Sequence, residues 1–397
     1  MLIGIVGKPS SGKSTFFSAA TLVDVARASY PFTTIEPNRG IGFVRVPCAD
    51  SHFSVQCNPR SGFCIHHVRF VPVELLDVAG LVPGAHEGKG LGNKFLDDLR
   101  QADVLIHVVD ASGSTNEKGE QVESGSHNPC MDVRFLEEEL ELWMLGILES
   151  NWGKFARSIV QGKQQLIENV AKGLSGLGIT EKQVDAALNK TKLVDTKLSE
   201  WNETHKRSFI HSLRIISKPM VIAANKCDLP HALENVEKLR KEFPHLMIIP
   251  CSSEAELTLK KADKNKLIEY VQGNPSFVSH NGLSEAQSHA LSYIREKVLI
   301  PLNGTGVQKV LDETVFSALN YMAIFPGGTK GLTDKDGNVL PDCFLMPPHS
   351  TTLDFAFRLH TDFGKHFIKA IDVKTRMLLG KEHVLKSGDV IEIISGK

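Results

Sequence analysis

Gly7, Gly12, Lys13 and Ser14 stand at the spacing G-x-x-x-x-G-K-S within Gly7-Lys8-Pro9-Ser10-Ser11-Gly12-Lys13-Ser14-Thr15. Chemistry explains that spacing. Glycines let backbone N–H groups curl around an anion without Cβ clashes, and the start of a helix aims further amides inward. Lys13 brings a point charge to the β- and γ-phosphates of a nucleotide, and the Ser14 hydroxyl meets Mg²⁺, a hard ion that favours oxygen donors. Chance would supply roughly 0.02 such matches in a chain of this length. An ordinary Gly/Ser turn is the competing reading, and it has no need of both Lys13 and Ser14.

Other polar groups are placed to complete such a site. Asp77-Val78-Ala79-Gly80 follows an apolar run; Asp77 is expected to hold the ion through water and the Gly80 amide to touch the γ-phosphate. In Tyr30-Pro31-Phe32-Thr33-Thr34-Ile35-Glu36-Pro37-Asn38 two prolines exclude helix, and Thr34, with Thr33 as the alternative, is expected to meet Mg²⁺ and the γ-phosphate. The stretch 81–92 is rich in glycine and polar residues and is expected to be mobile.

These motifs need strands to carry them. Apolar runs at 2–6, 41–46, 68–76, 103–110, 219–224 and 246–251 alternate with helical patterns, and the polar motifs sit at strand C-terminal ends. That predicts a doubly wound, mostly parallel α/β sheet whose crevice collects the motifs. From 131 to 214 strand signals vanish and apolar residues recur at helical spacing (Val133, Leu136, Leu140, Trp143, Ile147), which predicts an inserted antiparallel helical hairpin whose charged face is either solvated or a docking surface. Helical stretches are expected at 284–300 and 307–322, then a boundary at Pro326-Gly327-Gly328-Thr329. The tail reads as a small α+β module with strands at 343–346, 367–372 and 390–394 and a helix near 352–360. His107, inside a strand, reads as a core histidine.

The 397 residues suggest two or three domains: a nucleotide-binding domain in two parts, 1–130 and 217–339, a helical insertion at 131–216 between them, and a tail domain at 340–397. With 45 basic and 46 acidic residues, no overall field draws the chain to nucleic acid or membrane; DNA and membrane are not expected partners. The absence of a signal-peptide pattern or a membrane-spanning run points to the cytoplasm. Cys48, Cys57 and Cys64 lie near His66 and His67, but C-x8-C-x6-C lacks the C-x2-C knuckle, so zinc is not expected and free thiols on a hairpin are.

With Asn225-Lys226-Cys227-Asp228 the motif set resembles that of the Obg-related GTPases of the translation-factor class. Asp77 to Ala85, Gly90-Leu91-Gly92-Asn93 and Tyr30 to Pro37 are similar to the YchF branch in an archaeal-type form. The tail from Leu340 is similar to a TGS domain, a ubiquitin-like β-grasp module. The resemblance covers about 1–112, 218–256 and 340–397. It implies GTP and GDP as ligands, Mg²⁺ at Ser14, Thr34 and Asp77, catalytic support from Lys13, Thr34 and Gly80, and action with ribosomes or RNA through the helical insertion and the tail. Asp228 is then expected to accept two hydrogen bonds from guanine, with Asn225 facing the base edge, Lys226 along the ring and Ser252, Ser253 and Glu254 closing the pocket.

Position 81 is Leu where Ras-like enzymes carry a water-orienting Gln, which implies slow hydrolysis aided by another group; His86 and His127 are the candidates. Ser10 replaces the Asn that supports potassium in Obg-like loops, leaving potassium dependence open. YchF relatives often favour ATP, so an ATP-hydrolysing member is the alternative. Two further readings compete: a P-loop kinase, which would want an arginine-rich lid, and an adaptor whose nucleotide is structural.

Overall fold

The computed structural model describes residues 1–21, 38–78, 98–157, 163–334 and 336–396. Thr33, Thr34, Gly80, Leu81 and His86 lie outside the described residues. The chain forms two compact units, Met1–Ala19 with Glu74–Val310 and Ala20–Val73 with Leu311–Lys397. The division differs from the sequence boundaries: 20–73 and 311–339 group with the C-terminal module rather than with the loop at residue 7.

In chain order the strands are β1 (Leu2–Val6), β2 (Arg39–Pro47), β3 (Phe63–Ile65), β4 (Val68–Asp77), β5 (Val104–Asp110), β6 (Met220–Asn225) and β7 (Met247–Pro250). A short pair, β8 (Ile268–Glu269) and β9 (Val278–Ser279), follows. Then come β10 (Met322–Pro326), β11 (Phe344–Met346), β12 (Phe367–Asp372), β13 (Leu378–Leu379) and β14 (Val390–Ser395).

In the first unit β1 lies between the end of β4 and β5, and β6 and β7 continue outward, all parallel. The registers Ile3↔Leu75, Ile3↔Val104, Val108↔Ala223 and Ala223↔Ile249 align the strand tips. β1, β5 and β6 are buried along their whole length, as strands covered on both faces must be, and so they read as unbroken apolar runs rather than alternating ones. The chain leaves β1 to neighbours on opposite sides. That reversal opens a crevice at its C-terminal end, where α1 (Lys13–Thr21) begins.

Between β5 and β6 run α2 (Pro129–Arg157), α3 (Lys163–Gly173), α4 (Glu181–Thr191) and α5 (Glu203–Ser217). The sequence suggested a simple hairpin, but the described residues hold four helices. The breaks are local: α4 starts with a Thr180/Gln183 capping box, and Asn202 caps α5. Val133, Leu136, Leu140, Val170 and Leu213 are buried with the sheet in one core. Arg214, 2% exposed, is held by Glu137 at 2.8 Å and Glu141 at 2.9 Å. Beyond β6 come α6 (Ala232–Glu242) and α7 (Ser253–Lys264).

The second unit contains a five-stranded sheet of order β11–β10–β14–β12–β13 with the helix Thr352–Leu359; Ile324, Phe355, Ala370 and Ile391 form its core. β10 has no counterpart among the expected strands, which leave a gap between the helical stretch ending at 322 and the boundary at Pro326; Met322, Ala323, Ile324 and Phe325 fit either pattern over so short a run. It pairs with β11 (Ile324↔Phe344) and β14 (Phe325↔Val390). A boundary at 340 therefore cuts through this sheet.

His107 on β5 is 2% exposed and its Nδ1 has no hydrogen-bond partner among the described residues. Burial, helped by the Lys8 charge, lowers its pKa to about 3. An unfolded histidine titrates near 6.5, so below that pH the unfolded chain takes up a proton the native state refuses. The stability linked to neutral His107 is complete above about pH 6.5 and falls by roughly 1 kcal/mol per unit as acid is added toward pH 3. Denaturant titrations at pH 7 and 5 should show this loss in the natural protein and a smaller one in His107→Leu; equal losses would mean another group governs the acid limb.

Candidate functional site

The loop after β1 and the strand tips beside it all fall within the first unit. Phe16 N–H donates to the Gly12 carbonyl at 2.8 Å, starting α1. Gly12 has φ +92°, and a Cβ there would lie 2.2 Å from Asn225 Nδ2; position 12 must be glycine for this neighbour to fit. A Cβ on Gly7 would meet the Val108 carbonyl at 2.5 Å. Pro9, Ser10 and Ser14 are exposed, Thr15 is half-buried and Ser11 is buried.

Lys13 Nζ forms an ion pair with Asp77 Oδ1 at the tip of β4. The cation and the acid expected to serve phosphate and metal thus neutralise each other. Lys8 differs from its neighbours. Its ammonium is buried, donating to the Thr115 carbonyl at 2.7 Å and pairing with Asp132 at 2.9 Å, so only its backbone is available to a ligand. His127 shares that acid, with Nε2 2.8 Å from Asp132 Oδ1, and is 8% exposed. This ties the ring into a buried network at the start of α2.

Asn225 stands at the tip of β6. Its Nδ2 donates to the Ser11 carbonyl at 3.0 Å, and its Oδ1 accepts from Ser253 N–H at 3.0 Å and Ser253 Oγ at 2.9 Å. The amide is 3% exposed and joins the phosphate loop to the start of α7, using one of the two Nδ2 hydrogens. Ser252 caps α7 through Ala255 N–H, and Glu254 is exposed.

Lys226 has φ +63°, and its ammonium lies 2.9 Å from Asp110 Oδ2. Asp110, fully buried at the tip of β5, also accepts from Ser112 Oγ at 2.6 Å, Thr115 Oγ1 at 2.7 Å and Ser114 Oγ at 3.0 Å. Burial alone would raise this carboxyl, but hydrogen bonds from Ser112, Lys226 and Thr115 outweigh it and hold the group below the usual carboxylate range. Sequence reasoning missed Asp110 as a site residue; an acid ending a buried strand, the signal used for Asp77, was also present there.

Asp228 is half-buried, and its carbonyl accepts from the Tyr293 hydroxyl at 3.0 Å. Among the described residues its carboxylate has no hydrogen-bond or ion-pair partner. The site therefore offers a glycine-lined loop, a displaceable Lys13–Asp77 pair, and an acceptor-only carboxylate left open beyond the Asn225 clamp. Ser14 and Asp77 are hard oxygen donors of the kind Mg²⁺ takes.

Three family models match the chain: 50S ribosome-binding GTPase over residues 2–133, the G4 motif-containing domain of YGR210-like Obg-like GTPases over 223–327, and the TGS domain over 331–395. An uncharacterized GTP-binding protein of Methanocaldococcus jannaschii is 44% identical, with 99% of each chain covered. A Mycoplasma genitalium protein named ribosome-binding ATPase YchF is 28% identical over 98% of this chain and 97% of its own. A solved GTP-binding protein from Pyrococcus horikoshii OT3 is 36% identical with a TM-score of 0.79, each chain covered completely.

Proposed function

The chain belongs to the Obg-like GTPases related to YchF, GTP-binding proteins with a C-terminal TGS domain, and on that premise we propose that it is a slow GTP-hydrolysing switch acting with ribosomes or RNA. The observation that carries the guanine reading is the open Asp228 carboxylate beside a strand tip clamped to the phosphate loop. An acceptor-only group there suits the N1–H and 2-amino donors of guanine, and Lys226 lends its stem to the ring face while Asp110 anchors its charge.

Triphosphate would draw Lys13 from Asp77 onto the β- and γ-oxygens, and the freed Asp77 with Ser14 would hold Mg²⁺, which neutralises charge on the phosphates. Thr34 and Gly80 are assigned to the γ-phosphate by resemblance, as is His86 to water positioning. His127 acts at most indirectly, by holding Asp132 against Lys8. With Leu81 in place of a water-orienting Gln, intrinsic turnover is slow. Ribosome or RNA contact is assigned to the helical insertion and the tail because ribosome binding stands in the name of the Mycoplasma relative. That name also says ATPase, which favours ATP as the second reading.

A switch needs contacts that differ between its states. The GTP-bound protein should protect amides at 28–40 and 80–93 from hydrogen exchange more than the GDP-bound protein does, and should sediment with ribosomes to a greater extent. Identical exchange and equal sedimentation in both states would leave an adaptor with a structural nucleotide.

A further inference from the structure

In the second unit, three thiols and a carboxylate separated by up to sixteen positions in sequence converge. The donor atoms of Cys48, Asp50, Cys57 and Cys64 lie within 4.8 Å of one another, with all but Cys64 fully buried. Cys48 Sγ is 3.5 Å from Cys57 Sγ, and Cys64 Sγ is 3.7 Å from Asp50 Oδ2. A tetrahedral zinc ion, with Zn–S about 2.3 Å and Zn–O about 2.1 Å, requires S···S edges of about 3.8 Å and S···O edges of about 3.6 Å. The two measured edges match that tetrahedron to within a few tenths of an ångström. The S···S edge is also too long for a disulfide, and the cysteines are free.

Backbone and side-chain hydrogen bonds of the scaffold position these atoms. Cys48 N–H donates to the His67 carbonyl at 2.8 Å, and Asp50 opens the short helix Ala49–Phe53. Ile65 pairs with Val68 across His66 and His67, both with positive φ, which is a tight two-residue hairpin turn. That turn brings His67 Nδ1 to within 2.9 Å of Asp50 Oδ1, while Cys57 N–H donates to Oδ2 at 3.0 Å. Asp50 is thereby oriented by a neighbour, as the carboxylate ligands of metal sites are.

A second observation is independent of the donors. Arg69 is 0% exposed, and its Nη2 reaches the Leu340 carbonyl at 2.6 Å and Cys48 Sγ at 3.8 Å. Its Nε and Nη1 have no hydrogen-bond partner, and among the described residues no carboxylate pairs with it. A buried guanidinium without a counter-charge is costly. Three thiolates and a carboxylate around a divalent ion leave two negative charges, which Arg69 would halve.

We propose that Cys48, Asp50, Cys57 and Cys64 form a structural zinc site, closed to catalysis, that pins the 48–64 loop beside Arg69. Zinc suits the set because thiolates are soft and the lone carboxylate is tolerated by zinc more readily than by copper(I). Each protonated thiol that binds the ion gives its proton to solvent, so uptake releases up to three protons per zinc. The missing C-x2-C knuckle is no obstacle: a short helix and a tight turn supply the closeness that a knuckle would supply by spacing.

The test uses the full-length protein purified without added metal and dialysed against metal-free buffer, with zinc counted by mass spectrometry. About one zinc per chain is expected, falling to near zero in Cys64→Ser, whose partly exposed position makes folding robust. Cobalt(II) titrated into the chelator-stripped natural protein gives a readout that needs no variant. Intense tetrahedral bands with thiolate charge transfer are expected, and Asp50→Asn should keep the charge transfer while shifting the visible bands. A pale octahedral spectrum, zinc-free protein that fails to compete with a chromophoric chelator for added zinc, or unchanged zinc content in Cys64→Ser would each overturn the proposal.

Discussion

ATP should bind about 10⁴-fold more weakly than GTP in a competition assay. Adenine presents a bare acceptor at N1 and lacks the 2-amino group, so it would set a lone pair against the Asp228 carboxylate, which has no other partner among the described residues. Sites built on such hydrogen bonds discriminate by about 10⁴-fold or more, because the unpaired group bears its whole desolvation cost. Asp228→Asn should erase the preference for GTP and improve binding of xanthine nucleotides, whose 2-oxo group accepts where guanine donates. The variant should keep the melting temperature of the natural protein, since Asn225 and not Asp228 holds Ser11. Comparable affinities for GTP and ATP in the natural protein would sink the guanine reading in favour of the ATP one.

Lys13→Ala should lower triphosphate affinity by about 10²-fold or more, from the loss of charge-assisted bonds each worth about 1.5–3 kcal/mol. Folding should be nearly unaffected. The Lys13–Asp77 pair is partly open to water, with side chains 13% and 23% exposed, and pairs of that kind contribute little. Titration calorimetry beside a thermal melt separates the two effects. Near-natural affinity in a folded variant would mean that the phosphates sit elsewhere.

What the sequence made legible was whatever is encoded locally. The loop 7–15 was read from its spacing and the acid at 77 from its place at the end of an apolar run, and the strands at 68–76, 103–110 and 219–224 match β4, β5 and β6 to within a residue or two. The tail strand at 367–372 coincides with β12. What escaped depends on partners distant in the chain. The Asn225 amide turns to Ser11, 214 positions away, and no periodicity announces that. Lys8 looked like a loop residue until Asp132 claimed its charge. β10 was hidden because its four apolar residues carry too little period to separate strand from helix. The convergence of Cys48, Cys57 and Cys64 on Asp50 was not read either, because C-x8-C-x6-C lacks a knuckle and Asp50 carries no spacing signal.

The Asn225 bridge changes where the entropy of recognition is spent. A side chain free to swing toward a base would have to be immobilised at every binding event, at about 0.5–1.5 kcal/mol for a rotamer-rich group. Here its hydrogen bonds to Ser11 and Ser253 are made when the chain folds, so under the proposed function the loop for the phosphates and the strand tip for the base would arrive already in register. A nucleotide would then meet a preorganised cradle, with part of its affinity drawn from the free energy of folding.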